Sequence, residues 1–265
     1  MATIGIIAGT GLAQGLEELF ISINKYGPDE TRKGVVLSHY AGKIGQHKVI
    51  LIPRHGDSLE TPSRSPAEMV RADANEAHIW LLYKAGVEAI YGVSAVGALD
   101  TDIPLVTEGA FVIPTGYVRG FAASQHSFGK DALEVHPNMG DPFHVELRVP
   151  LEFAVIKAGY RAITPATYIY NGGDNLESND EIEFLNFMTH GRPGPPKRVV
   201  GMTTVPEAML AAQMRIPYAA ICAPTNYAQG KSQEVINHPL HVERMAAGRE
   251  YLQKIFTELF AQMHL

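Results

Sequence analysis

Seven short apolar runs, each followed by turn residues, set the firmest limit on how this chain can fold. They cover residues 3–7, 48–52, 89–93, 110–113, 167–170, 198–201 and 218–223 and read as buried strands. Helical patterns lie between them at 75–85, 150–159, 180–188 and 206–214. Such alternation predicts an α/β fold, with helices packed on both faces of a central mixed β-sheet. The stretch 241–264 carries Val242, Met245, Ala246, Tyr251, Leu252, Ile255, Phe256, Leu259 and Phe260 at helical spacing, which predicts a long amphipathic helix. A chain of 265 residues with 46% hydrophobic content can bury one large core. The Gly/Pro-rich tract HGRPGPPK at 190–197 is too short for a domain boundary, so 1–265 is expected to be a single domain.

The charge balance narrows the class of partner. Net charge is −6 with no basic block, which argues against nucleic acid. Cys222, the one cysteine, sits inside the apolar run YAAICA and reads as a buried thiol rather than a nucleophile. No apolar run approaches the roughly 20 residues needed to span a bilayer. The amino terminus shows no basic segment followed by a hydrophobic core, so a cytoplasmic enzyme is expected.

Chemistry concentrates between residues 199 and 230. Thr204 and Glu207 have capping-box spacing, and Pro206 suits a first helical turn. The exposed amides of that turn, beside Met202 and Thr203, would suit an anion such as phosphate. The run 218–223 should deliver Thr225 and Asn226 at a strand end, where ligands bind in open α/β sheets. Gly9, Thr10 and Gly11 follow another strand and offer a tight turn, a backbone approach and a hydroxyl to an anion. With Gly15 this turn also suggests a dinucleotide site, but no second strand ending in Asp or Glu follows at the usual distance. Arg54 and His55 come directly after VILIP and place a planar cation and a second donor at a strand end. On its own, such a pair more often forms a surface ion pair.

The pieces, taken in order, carry a resemblance. IGIIAGTGL at 4–12, PRHG at 53–56, VSAVGALD at 93–100, HPNMGDPF at 136–143, GGDNLES at 172–178, GMTTVPEA at 201–208 and TNYAQG at 225–230 together resemble the trimeric purine nucleoside phosphorylases and their relatives, the methylthioadenosine phosphorylases. The resemblance implies a phosphate site made by Thr10, Arg54, His55, Ser94, Ala95 and Thr203. It implies a purine and ribose site made by Leu176, Glu177, Met202, Asn226 and His238. His136 lies in a segment similar to one that the methylthioadenosine branch donates from a neighbouring subunit. Asn226 and His55 are the catalytic candidates. No metal and no cofactor are implied, and inorganic phosphate is a co-substrate. A homotrimer acting in purine salvage is expected.

Glu177 and Asn226 favour a 6-oxopurine, because the methylthioadenosine branch has a small hydroxyl residue in place of the first and Asp-Tyr-Asp around the second. An amide both donates and accepts, whereas a carboxylate favours an amino group or protonated nitrogen. His238 stands twelve residues after Asn226, like the histidine that bonds a 5′-hydroxyl in bacterial members, whereas the His136 segment points toward a 5′-methylthio group. The implied reaction is reversible phosphorolysis to free base and pentose 1-phosphate. A phosphorylase of methylthioadenosine or methylthioinosine, a non-catalytic nucleoside-binding protein and a Rossmann oxidoreductase are the competing readings. The chain departs from the family pattern at Gly172, Asp174 and Asn175, and in a long region from 57 to 75 whose DSLETPSRSP portion reads as an irregular surface loop.

Overall fold

The chain runs through β1 (Thr3–Ala8), α1 (Thr10–Glu17), β2 (Ser22–Tyr26), β3 (Asp29–Thr31), β4 (Gly34–Val36), β5 (His39–Ile44) and β6 (His47–Pro53). Next come α2 (Pro66–Arg71), α3 (Ala74–Lys84), β7 (Ala89–Ala98), β8 (Ala110–Val112), β9 (Gly116–Arg119), α4 (Val145–Lys157), β10 (Arg161–Ile163) and β11 (Ala166–Tyr170). It ends with α5 (Asn179–Thr189), β12 (Lys197–Gly201), α6 (Thr204–Gln213), β13 (Tyr218–Tyr227) and α7 (His238–Gln262). This computed structural model describes residues 2–56, 64–121, 126–189, 196–234 and 238–263; for Thr10, His238, Pro239, His241 and Val242 it describes the backbone alone.

All seven apolar runs are strands of one 11-stranded mixed sheet, ordered β10-β8-β13-β7-β1-β6-β5-β2, with β9, β11 and β12 branching from β7. One face is covered by α1, α4 and α7 through Leu12, Leu151 and Phe256, and the other by α3 and α6 through Ile79, Leu82 and Leu210. Strands buried on both faces are apolar throughout, which is why their sequence shows runs rather than alternation.

The middle of the sheet positions the site. Strand β1 lies parallel between β6 and β7 and ends at Ala8, opposite Pro53 on one side and Val93 on the other. Strands β7 and β13 continue past that point, and β12 joins β7 antiparallel at Val200 and Gly97. The sheet therefore opens a step where β1 and β6 stop. The expected ends at residues 93 and 223 are corrected accordingly: Ser94, Ala95, Thr225 and Asn226 lie inside strands, held by neighbours that sequence reading does not pair.

Other expectations change as well. The helix expected from 150 begins at Val145, where Asp141 accepts from the Val145 amide at 3.0 Å, and it carries Pro150 internally. Strands β2, β5, β9 and β10 were not expected. Every residue of β2 is exposed, so it has no apolar run to betray it. Most of the loops at 57–66 and 190–197 lie outside the described residues; within them Pro66 opens α2 and Lys197 opens β12.

Candidate active site

Arg54 anchors the end of the site that the sequence motifs assign to phosphate. Its guanidinium is buried and uses four of five N–H groups on the protein. The Nε and Nη2 groups donate to Glu207, Nη2 also to the Ile7 carbonyl at 3.2 Å, and Nη1 to the Val93 carbonyl at 3.0 Å. Among the described residues the remaining Nη1 hydrogen has no partner, and that nitrogen lies 3.7 Å from where a side chain on Gly9 would begin. The Gly9 amide donates to the same Val93 carbonyl at 3.1 Å, so the turn before Thr10, Arg54 and the start of the step are held together. Burial alone lowers the Arg54 pKa, but Glu207 beside it raises it above the ordinary value.

Glu207 is not the cap that its spacing suggests. Helix α6 starts with Thr203 as N-cap and no side-chain capping bond. The Glu207 carboxylate turns inward instead, fully buried, and also accepts from the Tyr218 hydroxyl at 2.7 Å. Gly92 makes this possible, because any side chain there would collide with the Tyr218 hydroxyl. Reciprocal capping pairs form instead at Ser65 and Glu68, opening α2, and at Ser178 and Glu181, ahead of α5.

Ser94, 2% exposed, shares a 3.1 Å hydrogen bond with the Thr204 hydroxyl and contacts Cys222 Sγ at 3.6 Å. It thus pins the start of α6 to β7. The Cys222 thiol is fully buried, which pushes its pKa up to about 12 and fits the expected inert thiol. The Thr203 amide donates to the Tyr168 hydroxyl at 3.3 Å. Ala95 is the next residue along β7 and is half-buried.

His55 Nδ1 lies 2.6 Å from the Arg64 carbonyl. A carbonyl only accepts, so Nδ1 carries the proton and Nε2 keeps its lone pair in the neutral ring. Burial, then the Arg54 charge, lower the His55 pKa to about 4. His78 is lowered to about 3 by burial and by Arg54, Arg64 and His55. Both rings are therefore neutral at pH 7, set beside the Arg54 and Arg64 guanidiniums under the step.

The end that the sequence motifs assign to the base lies three residues beyond Ser94 along β7, roughly 10 Å away at strand rise. Asn226 pairs with Gly97, and its Nδ2 comes within 3.2 Å of where a Gly97 side chain would begin. Asn226 Oδ1 accepts from Thr225 Oγ1 at 3.0 Å and Nδ2 donates to the Tyr227 carbonyl at 2.9 Å, leaving one N–H and one lone pair of the amide for a ligand. Glu177 is 5% exposed and accepts from Asn171 Nδ2 at 3.2 Å. The Asn171 amide in turn donates to the carbonyl of Gly201, the residue before Met202. Glu177, Met202 and Asn226 thus border one region, while Leu176 is 45% exposed beside it.

Helix α7 braces both ends: Arg249 donates to the Gly11 carbonyl at 3.0 Å and Arg244 to the Thr225 carbonyl at 2.8 Å. His238 is its first residue. His136 is not brought into the chain's own site. It is exposed, on a segment tied by the Glu134 amide to Gln213 at the far end of α6, about 14 Å of helix from Thr204. Sequence reading missed Asn171, Tyr168 and Tyr218; the last two look like ordinary core aromatics, and nothing in the local pattern singles out Asn171. Among the described residues no group of His, Cys, Asp or Glu could hold a metal ion, and no helix is long and apolar enough to cross a membrane.

The pattern of the Phosphorylase superfamily matches residues 3–261, and the chain belongs to that family. It is 35% identical over 243 residues to a probable S-methyl-5′-thioinosine phosphorylase of Pseudomonas syringae pv. tomato, covering 89% of both chains. It is 30% identical to a probable 6-oxopurine nucleoside phosphorylase of Dictyoglomus turgidum, over 98% of this chain and 91% of that one. A methylthioadenosine phosphorylase from an antarctic soil metagenomic library shares the fold, with a TM-score of 0.81 at 23% identity over 98% of this chain and 85% of that one. The family resemblance and the α/β architecture expected from the motifs are therefore correct.

The two depressed histidines make stability depend on acidity. Between their ordinary pKa of 6.5 and folded values of about 4 and 3, the unfolded chain binds protons that the folded chain refuses. Stability contributed by the neutral rings is thus full above pH 6.5 and lost as pH falls through those values, with a slope of up to about 1.4 kcal/mol per pH unit for each histidine. Urea unfolding of the wild type and H78N from pH 7 to 4 should show a shallower fall for H78N; parallel curves would contradict the assignment.

Proposed function

We propose that the chain catalyses phosphorolysis of 6-oxopurine nucleosides, with 5′-methylthioinosine as its preferred substrate. The observation that carries the reading is two unlike ends set against strand β7: Arg54, followed by His55, bonds Val93 at one, and Asn226, with the Glu177 carboxylate in the same region, pairs with Gly97 at the other. A phosphate oxygen attacks C1′ from the first end. The C1′–N9 bond breaks and its electron pair passes to the purine, whose N7 lone pair accepts a hydrogen bond from the remaining Asn226 N–H; the departing purine anion takes its proton from water. That contact strengthens as charge develops, so it lowers the barrier rather than merely binding substrate. The transition state is oxocarbenium-like, as in glycoside hydrolysis, and no covalent enzyme intermediate forms. His55 Nε2, an acceptor, takes the hydrogen of a protonated phosphate oxygen, while Thr10, Ser94, Ala95 and Thr203 line the same end. Leu176 and Met202 flank base and sugar.

Methylthioinosine reconciles two signals: Glu177 with Asn226 for a 6-oxo base, and the His136 segment for a methylthio sugar. The relatives named for methylthioinosine and 6-oxopurine nucleosides support the base class. Inosine or guanosine is the second reading, favoured by His238 at the head of α7 as a partner for a 5′-hydroxyl. Phosphate is the co-substrate and no cofactor takes part. The enzyme works as a homotrimer, so that His136 reaches a neighbour's site. Two unlike apolar faces support a head-to-tail ring: Val145, Val149, Phe153 and Ile156 on α4, and Phe184, Phe187 and Met188 on α5. We place it in cytoplasmic purine salvage, in keeping with its single buried, unpaired cysteine.

Base release should be measured from methylthioinosine, inosine, guanosine, methylthioadenosine and adenosine, with and without phosphate. Phosphate-dependent hypoxanthine release, faster from methylthioinosine than inosine, is expected; faster adenine release from methylthioadenosine would overturn the base assignment. Light scattering should give three times the 28.9 kDa chain mass, and a monomer or dimer would contradict the ring.

A further inference from the structure

The two places where this chain departs from its family pattern, Gly172 to Asn175 and the long 57–75 region, meet in space. Asp174 Oδ2 accepts from Ser65 Oγ at 2.9 Å, and Oδ1 accepts from the Ala67 amide at 2.8 Å. Ser65 is further fixed by its exchange with Glu68, at 2.8 Å and 3.3 Å. The residue before it, Arg64, is bound to His55 in both directions: its amide donates to the His55 carbonyl at 2.8 Å, and its carbonyl accepts from His55 Nδ1 at 2.6 Å. Arg64 Nη1 also donates to the Val35 carbonyl at 2.7 Å.

We infer that Asp174 is a positioning residue for phosphate, acting through Ser65 and the Arg64 carbonyl to hold the His55 ring with Nδ1 protonated and Nε2 presented as an acceptor. The argument rests on covalent adjacency and donor inventory. The Arg64 carbonyl is one peptide bond from Ser65, so whatever fixes Ser65 fixes the acceptor that selects the His55 tautomer. A shorter loop would bring no Ser65. The two departures are therefore halves of one link, and neither is useful without the other. The link also joins the loop carrying Glu177 to the phosphate end.

This inference builds on the phosphorolysis reading, so its test has a readout that does not need turnover. Nitrogen-15 spectra of the histidines, with His55 assigned through H55Q, should show a protonated Nδ1 in the wild type and a mixture of tautomers in D174A. In kinetics, D174A should raise the phosphate KM about tenfold, the loss expected for a broken charge-assisted hydrogen-bond link. The turnover number and the nucleoside KM should stay within about twofold. D174N, which keeps an acceptor for the Ala67 amide, should fall between, and S65A/D174A should be no worse than D174A because both act on one chain of contacts. An unchanged His55 tautomer in D174A overturns the inference whether or not the wild type is active, whereas an inactive wild type whose tautomer shifts in D174A fails the phosphorolysis reading alone. Equal rises in both KM values would also overturn it, since they would mark a general loosening of the loops.

Discussion

Everything at the site hangs from the buried pair of Arg54 and Glu207. One guanidinium, on the residue after β6, bonds the last turn of β1 at Ile7, the step in β7 at Val93 and the first turn of α6 at Glu207. Tyr218 completes the set from β13. A pair this deep adds little net stability over apolar packing, but losing either partner leaves a bare charge in the core at a cost of about 3–5 kcal/mol. Its consequence is positional. It sets the height of α6 and the turn at Gly9 against one another, and these are the two backbone features that face the phosphate end.

The rest of the site inherits that frame. Because Glu207 pairs with the Arg54 charge and, among the described residues, protein groups take all but one of its N–H groups, Arg54 would meet an anion through that single edge. His55, kept neutral by burial and by the Arg54 charge, offers an acceptor there, the role the proposed reaction gives it toward a protonated phosphate oxygen. Three residues along β7 the surroundings change to amide and carboxylate, the order in which the proposed reading sets phosphate and base. Helix α7 holds both ends at a fixed separation through Arg249 and Arg244.

Much of this was legible in the sequence, for a physical reason. The central strands are buried on both faces, so their apolar runs were visible at once, and the motifs near their ends marked the family. What stayed hidden depends on contacts distant in the chain. Strand β2 is wholly exposed and, among the described residues, pairs with β5 alone, so it has no buried apolar run to reveal it. The ends of β7 and β13 were placed too early because the partner that extends β7, Val200 of β12, lies about a hundred residues away. Glu207 shows the limit most clearly: its spacing from Thr204 fits a capping box, and only the position of Arg54 reveals that it turns inward. Asp174 was visible as a departure from pattern, while its partner Ser65 was not.

A crystal structure of the protein grown in phosphate with 5′-methylthioinosine tests the central claim most directly. The account predicts phosphate at the step in β7, within hydrogen-bond reach of His55 Nε2 and the free Nη1 edge of Arg54, with the Arg54–Glu207 pair unbroken and Asn226 at the purine N7. Phosphate bound elsewhere, or Arg54 released from Glu207 to grip it, would contradict the account.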